Sequence, residues 1–106
     1  MRYYAVAELD VTDPSWIESY VSEVTKLVEQ SGGRYLARTA KIEKLEGARP
    51  APQVFLMIEW PSREAAVSFY ESEAYRPYRD RRQAGARNEL FLVAGEDMTG
   101  AARVAE

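Results

Sequence analysis

The chain has 106 residues, 46% of them hydrophobic and 29% charged, which is material for one compact domain and not for a linker or a tail. Fourteen basic against seventeen acidic side chains give a net charge of −3, which argues against a binder of nucleic acid or other polyanions. There is no cysteine and no histidine, so disulfides, thiolate nucleophiles, Cys/His zinc sites and imidazole bases are excluded.

The first apolar stretch, Tyr3 to Val11, is rich in β-formers and predicts a strand. Glu8 and Asp10 break it, so it is neither a signal-peptide core nor a membrane span. No later stretch reaches the ~20 apolar residues a span needs. The expectation is a cytoplasmic chain that touches no membrane.

Thr12-Asp13-Pro14 signals a helix start, with Asp13 as the cap and Pro14 in the first turn. Trp16, Ile17, Tyr20, Val21, Val24, Leu27 and Val28 then recur at helical spacing as one apolar stripe. Gly32-Gly33 ends the helix. Residues 34–47 predict a second strand, longer and more polar than the first, and residues 48–52 a loop with two prolines. Residues 53–60 are the clearest strand in the chain. Ser62 caps a second helix that turns Ala65, Ala66, Phe69 and Tyr70 inward, and a further helical piece spans about 73–84. A last strand covers 89–94, which leaves a domain at 1–95 and a mobile tail at 96–106.

The order β-α-β-β-α-β predicts an α+β, ferredoxin-like fold: a four-stranded antiparallel sheet with two helices on one face. Strand periodicity then bears on assembly. Val54, Leu56, Ile58 and Trp60 point one way while Phe55 and Met57 point the other; Leu90 and Leu92 oppose Phe91 and Val93; Ala5, Ala7 and Leu9 oppose Tyr4 and Val6. Three strands are therefore apolar on both faces, and helices cover only one. The expectation is a homodimer joined through the second face; the plainer alternative is that the tail folds back to cover it.

Two carboxylates, Glu8 and Glu59, each interrupt an apolar strand. Taking the first and third strands as parallel neighbours puts both at one end of the sheet, where a coupled pair could hold one proton near neutrality. The plainer reading is that each meets a nearby arginine or solvent. Arg38, on the second strand, is the expected cross-strand partner of Glu59. Tyr75, Tyr78, Arg79 and Arg82 share one helix face, and phenols beside guanidinium groups suit a carboxylate or phenolate ligand. The same stripe also fits tyrosines that pack while arginines reach water. No Gly-rich phosphate loop and no nucleophile elbow is present, and Glu8, Glu43 and Glu59 are too nonspecific to assign a metal.

Several stretches together resemble the domain of unknown function family 1330, within the dimeric α/β-barrel superfamily. They are Gly32-Gly33-Arg34-Tyr35-Leu36-Ala37-Arg38, Leu45-Glu46-Gly47, Ile58-Glu59-Trp60-Pro61-Ser62, and Phe69 to Tyr75 with Arg82 beyond. The resemblance implies a ferredoxin-like protomer and a homodimer joined through its sheets, and it implies no particular activity. Thr39-Ala40 and Ala48-Arg49 depart from the family's usual glycine pair and tryptophan, both at the mouth of any pocket. Related superfamily members include cofactor-free monooxygenases of aromatic polyketides and several isomerases.

The leading expectation is a homodimer with a pocket between sheet and helices for a small organic molecule, lined by Glu8, Arg38, Glu59, Tyr70, Tyr75 and Arg82, with no cofactor, metal or nucleic acid. One alternative is a cofactor-free oxygenase or isomerase with a carboxylate base and an arginine stabilising an enolate. Another is a structural or regulatory dimer.

Overall fold

The computed structural model describes residues 1–105. Strand β1 (Tyr3–Val11) is central, flanked by β3 (Val54–Trp60) and β4 (Ala86–Ala94), with β2 (Arg34–Thr39) at the edge beyond β3. The sheet order β2-β3-β1-β4, antiparallel throughout, is the ferredoxin-like arrangement. The expectation that β1 and β3 run parallel is corrected: Tyr3 pairs with Trp60 and Leu9 with Val54, which is an antiparallel register.

After β1 the Asp13 carboxylate accepts from the Ser15 amide at 3.0 Å and starts a 3₁₀ turn at Pro14–Trp16. The helical path continues as α1 (Ile17–Ser19), widens to a π-helical turn over Tyr20–Val24, and resumes as α2 (Thr25–Gln30). From the start of α2 the Thr25 hydroxyl donates back to the Val21 carbonyl in the wide turn at 2.5 Å. Gly32, at φ +99°, supplies the left-handed residue that turns the chain into β2.

Strand β2 stops at Thr39 and not near residue 47, because the Thr39 hydroxyl accepts from the Lys41 amide and bends the chain, and the polar residues beyond offer no inward side chains. Helix α3 (Arg63–Tyr70) is capped by the Ser62 hydroxyl on the Ala65 amide at 3.1 Å. Ser72 donates to the Phe69 carbonyl and accepts from the Tyr75 amide, which stitches the break before α4 (Arg76–Gly85). Strand β4 starts three residues before the expected position, since Ala86, Arg87 and Asn88 pair with Val11, Asp10 and Leu9.

The two faces of the sheet are unlike in their cover. Ala5, Ala7, Leu56, Ile58 and Trp60 face the helices, where Val24, Val28, Ala66, Phe69 and Tyr75 complete the core. Phe69 sits between Trp60 and Tyr75, with ring centroids at 5.3 and 4.5 Å. The opposite face carries Tyr4, Val6 and Glu8, opposed by Glu59, Met57 and Phe55, with Val93 and Phe91 alongside. No helix among the described residues covers it, and Phe91 and Val93 are 57% and 43% exposed. Among the described residues no helix is long and apolar enough to cross a membrane.

Candidate functional site

Between the helices and the sheet lies a cavity of about 610 Å3. Its floor is β1 and β3, and the space exists because the inward residues at the middle of the central strand, Ala5 and Ala7, have one-carbon side chains. Val24, Val28, Ile58, Trp60 and Phe69 make most of the wall apolar.

The polar end is built by two distant helical segments. Tyr20, on the wide turn, places its hydroxyl 2.6 Å from that of Tyr75, at the entrance to α4. One turn into α4 and beyond, Arg82 is only 4% exposed. Its Nη2 donates to the Tyr75 hydroxyl at 3.3 Å, its Nη1 donates to Asn88 Oδ1, and its guanidinium carbon lies 6.0 Å from the Tyr20 ring centroid. The Nε hydrogen has no acceptor among the described residues, and none of the ion pairs there includes Arg82.

Burial pushes the Tyr20 phenol well above the usual tyrosine range; Tyr75 adds to the shift, and Arg82 opposes it without prevailing. Burial also works against the charge on Arg82, but Tyr20 and Tyr75 outweigh it and hold that guanidinium protonated. At neutral pH the cluster joins the Arg82 cation to the neutral Tyr20 phenol, with the Tyr75 hydroxyl between them. It donates; it is not a base.

Four of the six expected site residues border this cavity: Arg38, Tyr70, Tyr75 and Arg82. Arg38 stands at its exposed side, stacked 4.5 Å from the Tyr35 ring centroid and bonded to the Thr25 hydroxyl at 3.0 Å. Its cross-strand neighbour is Leu56, so the expected pairing with Glu59 is corrected. Tyr70 receives a long hydrogen bond from the Gln83 side chain at 3.5 Å, while Arg79 lies against its ring and donates to its carbonyl.

Glu8 and Glu59 are elsewhere. Strand alternation puts both on the uncovered face, and neither borders the cavity. They are four residues apart along the antiparallel register, about 13 Å at a strand's rise, so they form no coupled pair. Glu59 is 9% exposed and takes Arg2 at 2.6 Å and Arg34 at 3.5 Å, while Glu8 takes Arg49 at 3.0 Å. With Arg34 and Arg49 both 73% exposed, those two pairs contribute less than about 1 kcal/mol each.

The sequence reading placed Tyr20 in the apolar stripe and missed its part in the polar end; it also missed Asn88 and the rim carboxylate Glu71. A phenol on an otherwise aliphatic stripe is the signal that marks Tyr20, since a buried hydroxyl needs a partner.

Residues 2–96 match the family described as domain of unknown function 1330. The chain belongs to that family. No curated protein matches it. Among solved structures it is similar to the protein of unknown function RPA0582 from Rhodopseudomonas palustris, at 16% identity and a TM-score of 0.74, over 87% of this chain and 80% of that one. It is also similar to SnoaB, a cofactor-independent oxygenase from Streptomyces nogalater, at 15% identity and a TM-score of 0.62, over 93% and 97%. An antibiotic biosynthesis monooxygenase gives 20% identity and a TM-score of 0.52, over 92% and 100%. These likenesses show the shared fold, a four-stranded antiparallel sheet of ferredoxin-like order with its helices on one face.

Proposed function

We propose that this family member is a homodimeric domain that binds a small organic molecule, aromatic or anionic, in the cavity between sheet and helices. The observation that carries the reading is an apolar space of about 610 Å3 closed at one end by a buried guanidinium and two phenols. That volume is in the range of small-molecule sites, and so is the pairing of apolar walls with a few convergent polar groups. An interior left open speaks against a purely structural dimer, whose core has no reason to be hollow. The dimer is supported by the second sheet face, where Val6, Met57, Phe91 and Val93 stand uncovered by any helix.

A second reading is favoured by Arg82 beside the phenols: donors placed there would stabilise the oxyanion of a phenolate or enolate, as a cofactor-free oxygenase or isomerase requires. The fold of SnoaB makes the oxygenase a natural candidate. The carboxylate base in that reading is not Glu8 or Glu59, and the carboxylate available at the cavity is Glu71 on its rim.

The test is titration with the neutral fluorescent probe N-phenyl-1-naphthylamine, comparing the natural chain with Ala7→Phe, which fills the cavity floor. Saturable binding of one probe per protomer, lost in Ala7→Phe, is the expected result. No binding, or binding unchanged by the substitution, contradicts the proposal, since the latter would place the probe on the open sheet face.

A further inference from the structure

Resting on that reading of the cavity, the count of hydrogens at its polar end narrows the ligand. The Tyr20–Tyr75 contact uses one phenolic hydrogen, whichever oxygen donates it. The Tyr75 oxygen already accepts from Arg82. If Tyr75 donates to Tyr20, the Tyr20 hydrogen is left over; if Tyr20 donates to Tyr75, the Tyr75 hydrogen is left over. Either way one phenolic hydrogen has no acceptor among the hydrogen bonds of the described residues. The Arg82 Nε hydrogen is in the same condition.

The charge tells the same story. Arg82 is 4% exposed, and its partners are the Asn88 amide and the phenols Tyr75 and Tyr20, none of them a carboxylate. A buried cation without a counter-charge is costly to hold. Donors in surplus and one uncompensated positive charge among the described residues specify the complement: a single negative charge carried on oxygen.

We infer that the ligand is a monoanionic oxygen acid with a flat apolar body, of the aryl carboxylate class. One oxygen accepts the spare phenolic hydrogen, with the Arg82 charge behind it, and the ring system lies along Trp60, Phe69 and Val24. The single guanidinium at the buried end excludes a phosphomonoester dianion, which needs more donors and a second charge. It also excludes protonated alkylamines, which would meet a like charge. Arg82 acts through Tyr75 as a positioning residue, and the phenolic hydroxyl is the contact.

The experiment is isothermal titration at pH 7 with 2-naphthoate and with 2-naphthamide, which has the same shape and no charge. Both are run on the natural chain, on Arg82→Met and on Tyr75→Phe, with circular dichroism confirming each fold. We expect naphthoate to bind at least about tenfold tighter than the amide, and the preference to vanish in both variants while amide binding persists. Should Arg82→Met fail to fold, Tyr75→Phe carries the comparison, since it removes only one oxygen. Equal binding of the two probes overturns the anion inference and leaves the cavity reading standing. A preference that survives in Tyr75→Phe also overturns it, by moving the charge recognition elsewhere. Failure of both probes to bind overturns the cavity reading itself.

Discussion

Arg82 gives one hydrogen bond to the Tyr75 hydroxyl, seven residues back along its own helix, and forms no ion pair with any described carboxylate. The sequence pointed to a different arrangement, with Arg82, Glu8 and Glu59 together in the lining of one pocket. Those carboxylates lie on the other face of the sheet, so the cation inside has no counter-charge among the described residues.

A stability consequence follows from that correction. Replacing an arginine paired to a buried carboxylate would cost about 3–5 kcal/mol, because the carboxylate would be stranded. Here none of the groups left behind is a carboxylate, and a Met side chain fills similar space without a desolvation penalty. We expect Arg82→Met to unfold within about 1 kcal/mol of the natural chain in urea, or to be more stable. A loss above about 3 kcal/mol would show a charged partner that the arrangement described above does not contain.

Gly85 is a second fixed point, at the junction of α4 and β4. A Cβ there would lie 2.3 Å from Trp16 Cδ1 and 3.0 Å from the Asp13 carbonyl, and the Trp16 indole already donates to the Gly85 carbonyl at 3.0 Å. Gly85→Ala therefore forces the ring and the turn after β1 apart. We expect a loss on the order of 2–3 kcal/mol in thermal or denaturant melts. A loss under about 0.5 kcal/mol would mean the Trp16 ring moves freely.

The phenols predict an alkaline limb. Burial raises the Tyr20 pKa in the folded chain above its unfolded value of about 10. The unfolded state therefore releases that proton first as pH rises. Stability from this source is complete below about pH 10 and is lost as pH climbs from there toward the folded value. Melting temperature measured across pH 8–11.5 should fall above about pH 10, and Tyr20→Phe should flatten that fall. An unchanged limb in Tyr20→Phe would assign it to other groups, Tyr35 first among them, since burial raises it also.

The element order and both sheet faces were legible because a strand's period of two sorts Ala5, Ala7 and Leu9 from Tyr4 and Val6 without any tertiary knowledge. The relation between β1 and β3 was misjudged, although the order alone decides it. A crossover makes β1 and β2 parallel, and a hairpin then inserts β3 between them in the opposite direction. Other misses have deeper causes. The wide turn over Tyr20–Val24 breaks the 3.6-residue period and leaves Val21 40% exposed, at the border of the cavity and not in the packed core. Tyr20 and Tyr75 are 55 residues apart, and nothing local to either announces that their hydroxyls meet. Arg38 and Tyr70 fell at the cavity because alternation and helical spacing fix direction; Glu8 and Glu59 fell away from it for the same reason.

The uncovered face carries the assembly prediction. We expect a symmetric dimer that buries at least about 1,600 Å2 in total, with Phe91 and Val93 in its centre. Phe91→Glu places a charge at a residue 57% exposed in the protomer, so it should fold normally and sediment as a monomer. A natural chain that sediments as a monomer at micromolar concentration would remove the dimer from the account.

The central claim, that a small molecule occupies the space between helices and sheet, is tested most directly by intermolecular nuclear Overhauser effects between 2-naphthoate and methyl-labelled protein. The account predicts contacts from the naphthalene ring to the methyls of Val24, Leu56 and Ile58, which border the cavity. Contacts to Val6 and Val93 on the opposite face instead would contradict it.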